Sequence, residues 1–306
     1  MDELIDSSGL VRDTVALRER LAVHGYLFFR GLLPVQQILA AGAAVTSRLR
    51  DGGWVDAVGA PTGGPRALNS IEALADPAFR AALMSPEFNQ IPYLAPLRET
   101  ARRILGDRAF SYPVKVLRAV YPEGSGPRAR SRYIHYDYGV GGGQDMLTSW
   151  LPLMEIPVRL GGLAVQPGGQ HWPPRLPRPL TGTESGWATT DYHPGDVIIF
   201  HCLTPHAALP NEGSALRVSG DFRWQVPDAP SPAEMVLGPA GTQNRRGQPE
   251  LFYRMFRRQR WWEPVPAGLT LRPRAELAAI PPGPSRFFAV HPGWQAWQPP
   301  APAAVH

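Results

Sequence analysis

The sequence predicts a mainly β protein, with N-terminal helices flanking a β-sandwich and an extension at the C-terminal end. Two observations predict this. Up to about residue 105 apolar residues recur at helical spacing, and from about residue 109 they alternate with a period of two. The β candidates are short, and Gly, Pro and Asn clusters separate them, which is the pattern of a sandwich or barrel and not of βαβ units.

The elements follow in order. Residues 13–24 place Val15, Leu17, Leu21 and Val23 at helical spacing, with Asp13 as N-cap and Gly25 as the stop. Residues 25–33 read as a strand, and 35–50, 70–85 and 94–105 as helices. Strand candidates then come from SYPVKVLRAVYP, RYIHYDY, DMLTSWLPLMEI, GGLAVQ, GDVIIFH and ALRVSGDFRWQ. Past about residue 228 the composition shifts. ELFYRMFRRQRWW (250–262) reads as an amphipathic helix, and the Pro-rich end with Phe287, Phe288, Trp294 and Trp297 as an extended segment wrapped on the surface. One domain is expected over 1–230, with 231–306 packed on it as an extension.

The 306 residues are 43% hydrophobic and 19% charged, enough for one large core and too apolar for a disordered chain. No run approaches the roughly 20 apolar residues of a membrane span, and the acidic start is not a signal peptide. Cys202 is the single cysteine, so no intrachain disulfide forms. A cytoplasmic protein is the default. Arginine, alanine, proline and glycine abound while Lys115 is the sole lysine, the mark of a GC-rich, bacterial coding genome. The formal charge is +5, but the arginines are scattered and form no basic stripe for nucleic acid. The oligomeric state is not legible.

His135 and Asp137 lie two apart in RYIHYDY, so on a strand both project from one face. A His and a carboxylate are two of the three ligands of a facial triad for non-haem iron. Alone the pair is weak, since such spacing arises about once by chance in a chain like this. A second segment agrees with it. Around Pro210-Asn211-Glu212-Gly213 a hairpin centred between Asn211 and Glu212 would set His206 directly opposite Arg217. A five-carbon diacid could then chelate a metal at one end and meet a guanidinium at the other. His201 competes with His206 as a ligand, although it alternates to a different face from Phe200. His24, His193 and His291 read as turn or surface residues. Asp145 and Glu155 read as solvent-facing, Cys202 as a packed small residue, and GVGGG at 139–143 as a loop at the site mouth.

These residues, with Trp150, GGLAVQPGGQH at 161–171 and GDVIIFH at 195–201, resemble the phytanoyl-CoA dioxygenase family of oxygenases. The similarity spans about 14–225. It implies a double-stranded β-helix core (jelly roll, cupin-like). It also implies Fe(II) held by His135, Asp137 and His206, with 2-oxoglutarate and O2 as cosubstrates. Arg217 would bind the distal carboxylate of 2-oxoglutarate, with Ser219, Trp150 and Lys115 beside it. The implied reaction is hydroxylation of a small molecule, coupled to conversion of 2-oxoglutarate to succinate and CO2. The aspartate at 137 favours hydroxylation over halogenation. Where the family has PGSH, this chain has Pro167-Gly168-Gly169-Gln170-His171, a departure that bears on substrate class. Tyr138, His171, Trp172, Arg223 and Trp224 neighbour the ligand-bearing segments and are candidates to line the substrate pocket. Natural-product tailoring fits a chain of this composition. Two other classes remain open: a non-redox metal enzyme, and a catalytically silent ligand-binding sandwich. Arg217 and Ser219 speak against the first, which needs no clamp for a distal carboxylate, and the intact triad with Arg217 speaks against the second.

Overall fold

A computed structural model of the chain describes residues 1–63, 73–124, 133–138, 143–172, 179–236 and 266–291. The expected helix at 250–262, residues 139–142 of the Gly-rich loop, Trp294 and Trp297 lie outside the described residues.

Helix α1 (Thr14–His24) starts where Asp13 accepts from Val15 N and Ala16 N, both at 3.0 Å. It stops at Gly25, whose φ of 77° lies in the left-handed region. A β-carbon there would also collide with the Gln170 and Thr204 side chains. α2 (Val35–Asp51) follows, then α3 (Pro77–Leu83), α4 (Pro86–Asn89) and α5 (Ala95–Leu105). Asp76 and Pro77 begin α3, so the described part of the expected 70–85 helix is interrupted before residue 77, and Pro86 begins α4 beyond its end.

The strands are β1 (Asp2–Glu3), β2 (Tyr26–Phe29), β3 (Phe110–Ser111), β4 (Val116–Val120), β5 (Leu147–Pro152), β6 (Leu163–Val165), β7 (Ala188–Thr189), β8 (Val197–His201), β9 (His206–Ala208) and β10 (Arg217–Gln225). One sheet runs β1-β7-β6-β9, and the other runs β2-β8-β5-β10-β3 with β4 also on β10. β11 (Ser231–Pro232) pairs in parallel with β12 (Leu271–Arg272), which ties the C-terminal region to the end of the sandwich. This is the jelly-roll core expected from the sequence.

Side-chain alternation sorts the residues into layers. Tyr26 and Phe28 of β2, Trp150 of β5, and Ile198 and Phe200 of β8 meet Leu163, Val165 and Ala188 between the sheets. Their neighbours Leu27, Phe29, Leu147, Leu151, Val197, Ile199, Val218, Phe222 and Trp224 face outward, where α1, α2 and α5 cover them with Leu17, Leu21, Ile38, Val45, Leu97 and Ile104.

The structure corrects one expectation about register. His206 does not sit opposite Arg217 in a hairpin. β9 pairs β6, with His206 against Val165, whereas β10 pairs β4 and β5, with Arg217 against Val120. The chain crosses from one sheet to the other between them. Asn211 is the pivot: its Nδ2 donates to Val120 O at 3.0 Å and Ala215 O at 2.9 Å, and its Oδ1 accepts from Gly213 N at 3.0 Å. The crossing brings Arg217 to the site from the opposite wall of the sandwich.

Candidate active site

Residues 133–138, the described part of RYIHYDY, form no continuous strand. This segment touches the four-stranded sheet at His135, which exchanges backbone hydrogen bonds with His206 at 3.0 and 2.9 Å. Three residues later Tyr138 N donates to Cys202 O, beside β8 of the other sheet. Asp137 lies on this short traverse. The ligand atoms of His135, Asp137 and His206 all come within 4.8 Å of one another. Both imidazoles are fixed in one tautomer. The Nδ1–H of His135 donates to Tyr133 O at 2.8 Å, and that of His206 to Thr204 O at 2.9 Å. Each Nε2 lone pair is thereby left for a metal. Burial, and His206 beside it, pull His135 down to about 3, and burial lowers His206 as well. Both rings are neutral at physiological pH. Burial alone would raise Asp137, but Arg223, the two histidines and the Thr148 hydroxyl outweigh it and keep the carboxylate ionised. Two neutral imidazoles and one carboxylate on one side of a centre suit Fe(II).

The inward row of β10 is polar throughout: Arg217, Ser219, Asp221 and Arg223, all buried. Arg217 Nη1 donates to Ser219 Oγ at 2.8 Å, and its guanidinium lies 5.9 Å from the Trp150 ring centroid. Its Nε and Nη2 are buried and have no hydrogen-bond partner among the described residues. Those two atoms form one edge of the guanidinium, the fork that takes a carboxylate through two parallel bonds. Leaving such donors unmet in a protein interior is costly, so the edge fits a bound carboxylate such as the far end of 2-oxoglutarate. Burial, with Arg118 nearby, pulls Arg217 to about 10, and it stays protonated at neutral pH. Arg118 pairs with Asp221 at 2.8 Å through Nε.

Other candidates are placed elsewhere. Lys115 precedes β4 with the parity of Leu117, which faces the helices. Its Nζ donates to Pro113 O at 3.2 Å and lies 5.3 Å from the Tyr93 ring centroid. Arg118, three residues on and so of the opposite parity, takes the site-facing position opposite Ser219. Trp224 also has outward parity; it packs in the helix-side core, and its Nε1 donates to Ser149 Oγ at 3.0 Å. Tyr138 donates to Ile280 O at 3.0 Å. His171 binds Ala22 O at 2.9 Å and meets the Phe288 ring. Trp172 is 65% exposed against His291. His201 faces the helix side, as its alternation with Phe200 requires, with Nε2 3.2 Å from Asp145. Asp145 itself corrects the solvent-facing expectation: it is buried and holds His201, Ser285 and Arg286. Cys202 is packed as expected. Sequence reasoning missed Arg118, Thr148 and Asp221. The signal was available, because counting by twos from Arg217 reaches Ser219, Asp221 and Arg223, and counting back two from Trp150 reaches Thr148.

Residues 22–219 match the phytanoyl-CoA dioxygenase (PhyH) family. The chain belongs to that family. It is therefore a 2-oxoglutarate-dependent dioxygenase, with Fe(II) as its metal and 2-oxoglutarate and O2 as cosubstrates. Among curated relatives, this dioxygenase is 26% identical over 248 residues to a 1-deoxypentalenic acid 11-beta-hydroxylase of Streptomyces exfoliatus, covering 74% of this chain and 86% of the relative. A protein of the same description from Streptomyces arenae is 24% identical, covering 72% and 84%. Among solved structures, EctD from S. alaskensis superimposes with a TM-score of 0.52 at 17% identity, covering 89% of this chain and 91% of that one. The non-heme monooxygenase ThoJ superimposes at 0.51 and 17%, covering 70% and 78%. These two share its fold. Among the described residues no helix is long and apolar enough to cross a membrane.

Proposed function

We propose that the dioxygenase holds Fe(II) through His135, Asp137 and His206, binds the distal carboxylate of 2-oxoglutarate with Arg217, and hydroxylates a small natural-product molecule. The observation that carries this reading is the three-ligand cluster together with the unpartnered Nε–Nη2 edge of Arg217 in the same interior. Bound Fe(II), 2-oxoglutarate and O2 would supply the oxidising chemistry, one oxygen atom going to succinate as CO2 is lost and the other to the substrate. The protein contributes position. Ser219 holds Arg217, and the two backbone carbonyls aim the imidazoles. Tyr192, Phe200 and Trp150 give the interior an apolar wall that excludes water. The relatives named as hydroxylases of 1-deoxypentalenic acid support hydroxylation, and an organic acid is the kind of substrate their name describes.

The test needs no substrate. The purified protein is mixed anaerobically with Fe(II) and 2-oxoglutarate and its visible spectrum recorded. A metal-to-ligand charge-transfer band is expected, abolished in His135→Ala and shifted to higher 2-oxoglutarate concentration by at least tenfold in Arg217→Ala. A folded, metal-loaded native protein without the band would overturn the reading.

A further inference from the structure

Asp137 is gripped by two side chains that stand opposite each other on adjacent strands. Thr148 of β5 and Arg223 of β10 are register partners, and both point into the space between the sheets. Thr148 Oγ1 donates to Asp137 Oδ2 at 2.6 Å, a short bond of the kind a hydroxyl makes to an ionised carboxylate. Arg223 Nη2 lies 3.4 Å from Oδ1 and 3.3 Å from Oδ2. Those contacts are long and nearly equal, so Arg223 acts on the carboxylate by charge more than by a directed bond. The two oxygens therefore differ. Oδ2 is engaged by the hydroxyl, while Oδ1 faces His206 Nε2 at 3.9 Å.

We propose that Thr148 and Arg223 are positioning residues that make Asp137 a one-oxygen ligand, presenting Oδ1 to the metal and keeping Oδ2 out of its coordination shell. The inference rests on the metal assignment above. Its consequence is a matter of counting. A facial triad on an octahedral ion leaves about three positions open, and 2-oxoglutarate chelates through two of them. A carboxylate that turned to bind through both oxygens would fill the position that remains. Thr148 opposes that turn because its hydrogen bond anchors Oδ2 towards β5, and Arg223 adds the charge that holds the carboxylate against β10. Phe200, the register partner of Thr148 on its other side, packs its ring 4.4 Å from that of His206. The hydroxyl, the carboxylate and one imidazole are thus set by three adjacent strands.

The experiment uses the full chain loaded with Mn(II), with water-proton relaxation as the readout of exchangeable waters on the ion. The native protein is expected to show about three such waters, and about one after 2-oxoglutarate is added. Thr148→Val keeps the shape and removes the hydroxyl. It should lower the relaxivity by about a third without 2-oxoglutarate, and almost abolish the inner-sphere contribution with it. Thr148→Ser should restore native values. Arg223→Met, which leaves the hydroxyl in place, should move the relaxivity in the same direction by a smaller amount, and Arg223→Lys should not. Native relaxivity in both Thr148→Val and Arg223→Met, with Mn(II) bound tightly, overturns the proposal while leaving the metal site standing. Absence of enhancement in the native protein, unchanged in His135→Ala, removes the metal assignment and this inference with it.

Discussion

Lys115 shows at the scale of one residue what burial does to a cation that no described carboxylate faces. Its partners are a carbonyl and the face of a tyrosine ring. Burial pulls its ammonium from 10.5 down to about 7. Between those values the unfolded chain holds a proton that the folded chain has released, so stability rises with pH through that window. Below about 7 both states are charged and the full penalty applies. Lys115→Met is therefore expected to raise the melting temperature at pH 6, and the gain should shrink steadily towards pH 10. A gain independent of pH would mean that the ammonium is not desolvated in the folded protein. Arg217 is the opposite case. Its Nε and Nη2 have no partner among the described residues, and under the proposed function the cosubstrate carboxylate would offset that burial on binding.

At the scale of elements, the crossing between β9 and β10 decides the site. The twelve residues from His206 to Arg217 are compatible with a tight hairpin, and composition does not separate that hairpin from a crossover. Asn211 settles it, by tying Gly213 N and Ala215 O of the turn to Val120 O of β4 while buried itself. Replacing it with alanine removes three hydrogen bonds and should cost roughly 2–4 kcal/mol, measurable by urea denaturation. Because β10 carries Arg217 and begins just after the turn, the same variant should weaken 2-oxoglutarate binding more than metal binding. Equal losses in both would place the effect in general unfolding. The alternation within β10 was fully legible. Once Arg217 is set inward, Ser219, Asp221 and Arg223 follow, and Trp224 falls outside. RYIHYDY was less legible, because a segment that bridges two sheets has the residues of a strand without its ladder.

For the whole molecule, the C-terminal segment acts as a strap over the helix-side end of the sandwich. Tyr138 donates to Ile280 O, and Gln144 to Gly283 O, so the two residues flanking the loop after Asp137 are tied to it. Asp145, at a φ of 57°, accepts from Ser285 Oγ at 2.6 Å and Arg286 N at 3.0 Å. Phe288 packs between His171 and His201. Asp145→Ala should destabilise the protein by about 2 kcal/mol, a value reduced for the partial exposure of Arg286. It should also open residues 280–291 to proteolysis at a rate well above native. Unchanged cleavage there would show that the aromatic contacts alone hold the segment.

The sequence by itself determined the layers and the chemistry. Alternation and helical spacing depend on neighbours a few positions apart, and the His, Asp and Arg residue types limit what the site can bind. Tertiary structure alone decided which groups meet. Whether Arg217 reaches the site beside His206 or from the facing sheet, whether Lys115 or Arg118 turns inward, and whether Asp145 is solvated or buried under residues 285 and 286 all depend on contacts between segments far apart in the chain. Local propensity cannot encode those contacts, because their energies arise only when the two sheets, the helices and the C-terminal strap have closed on one another.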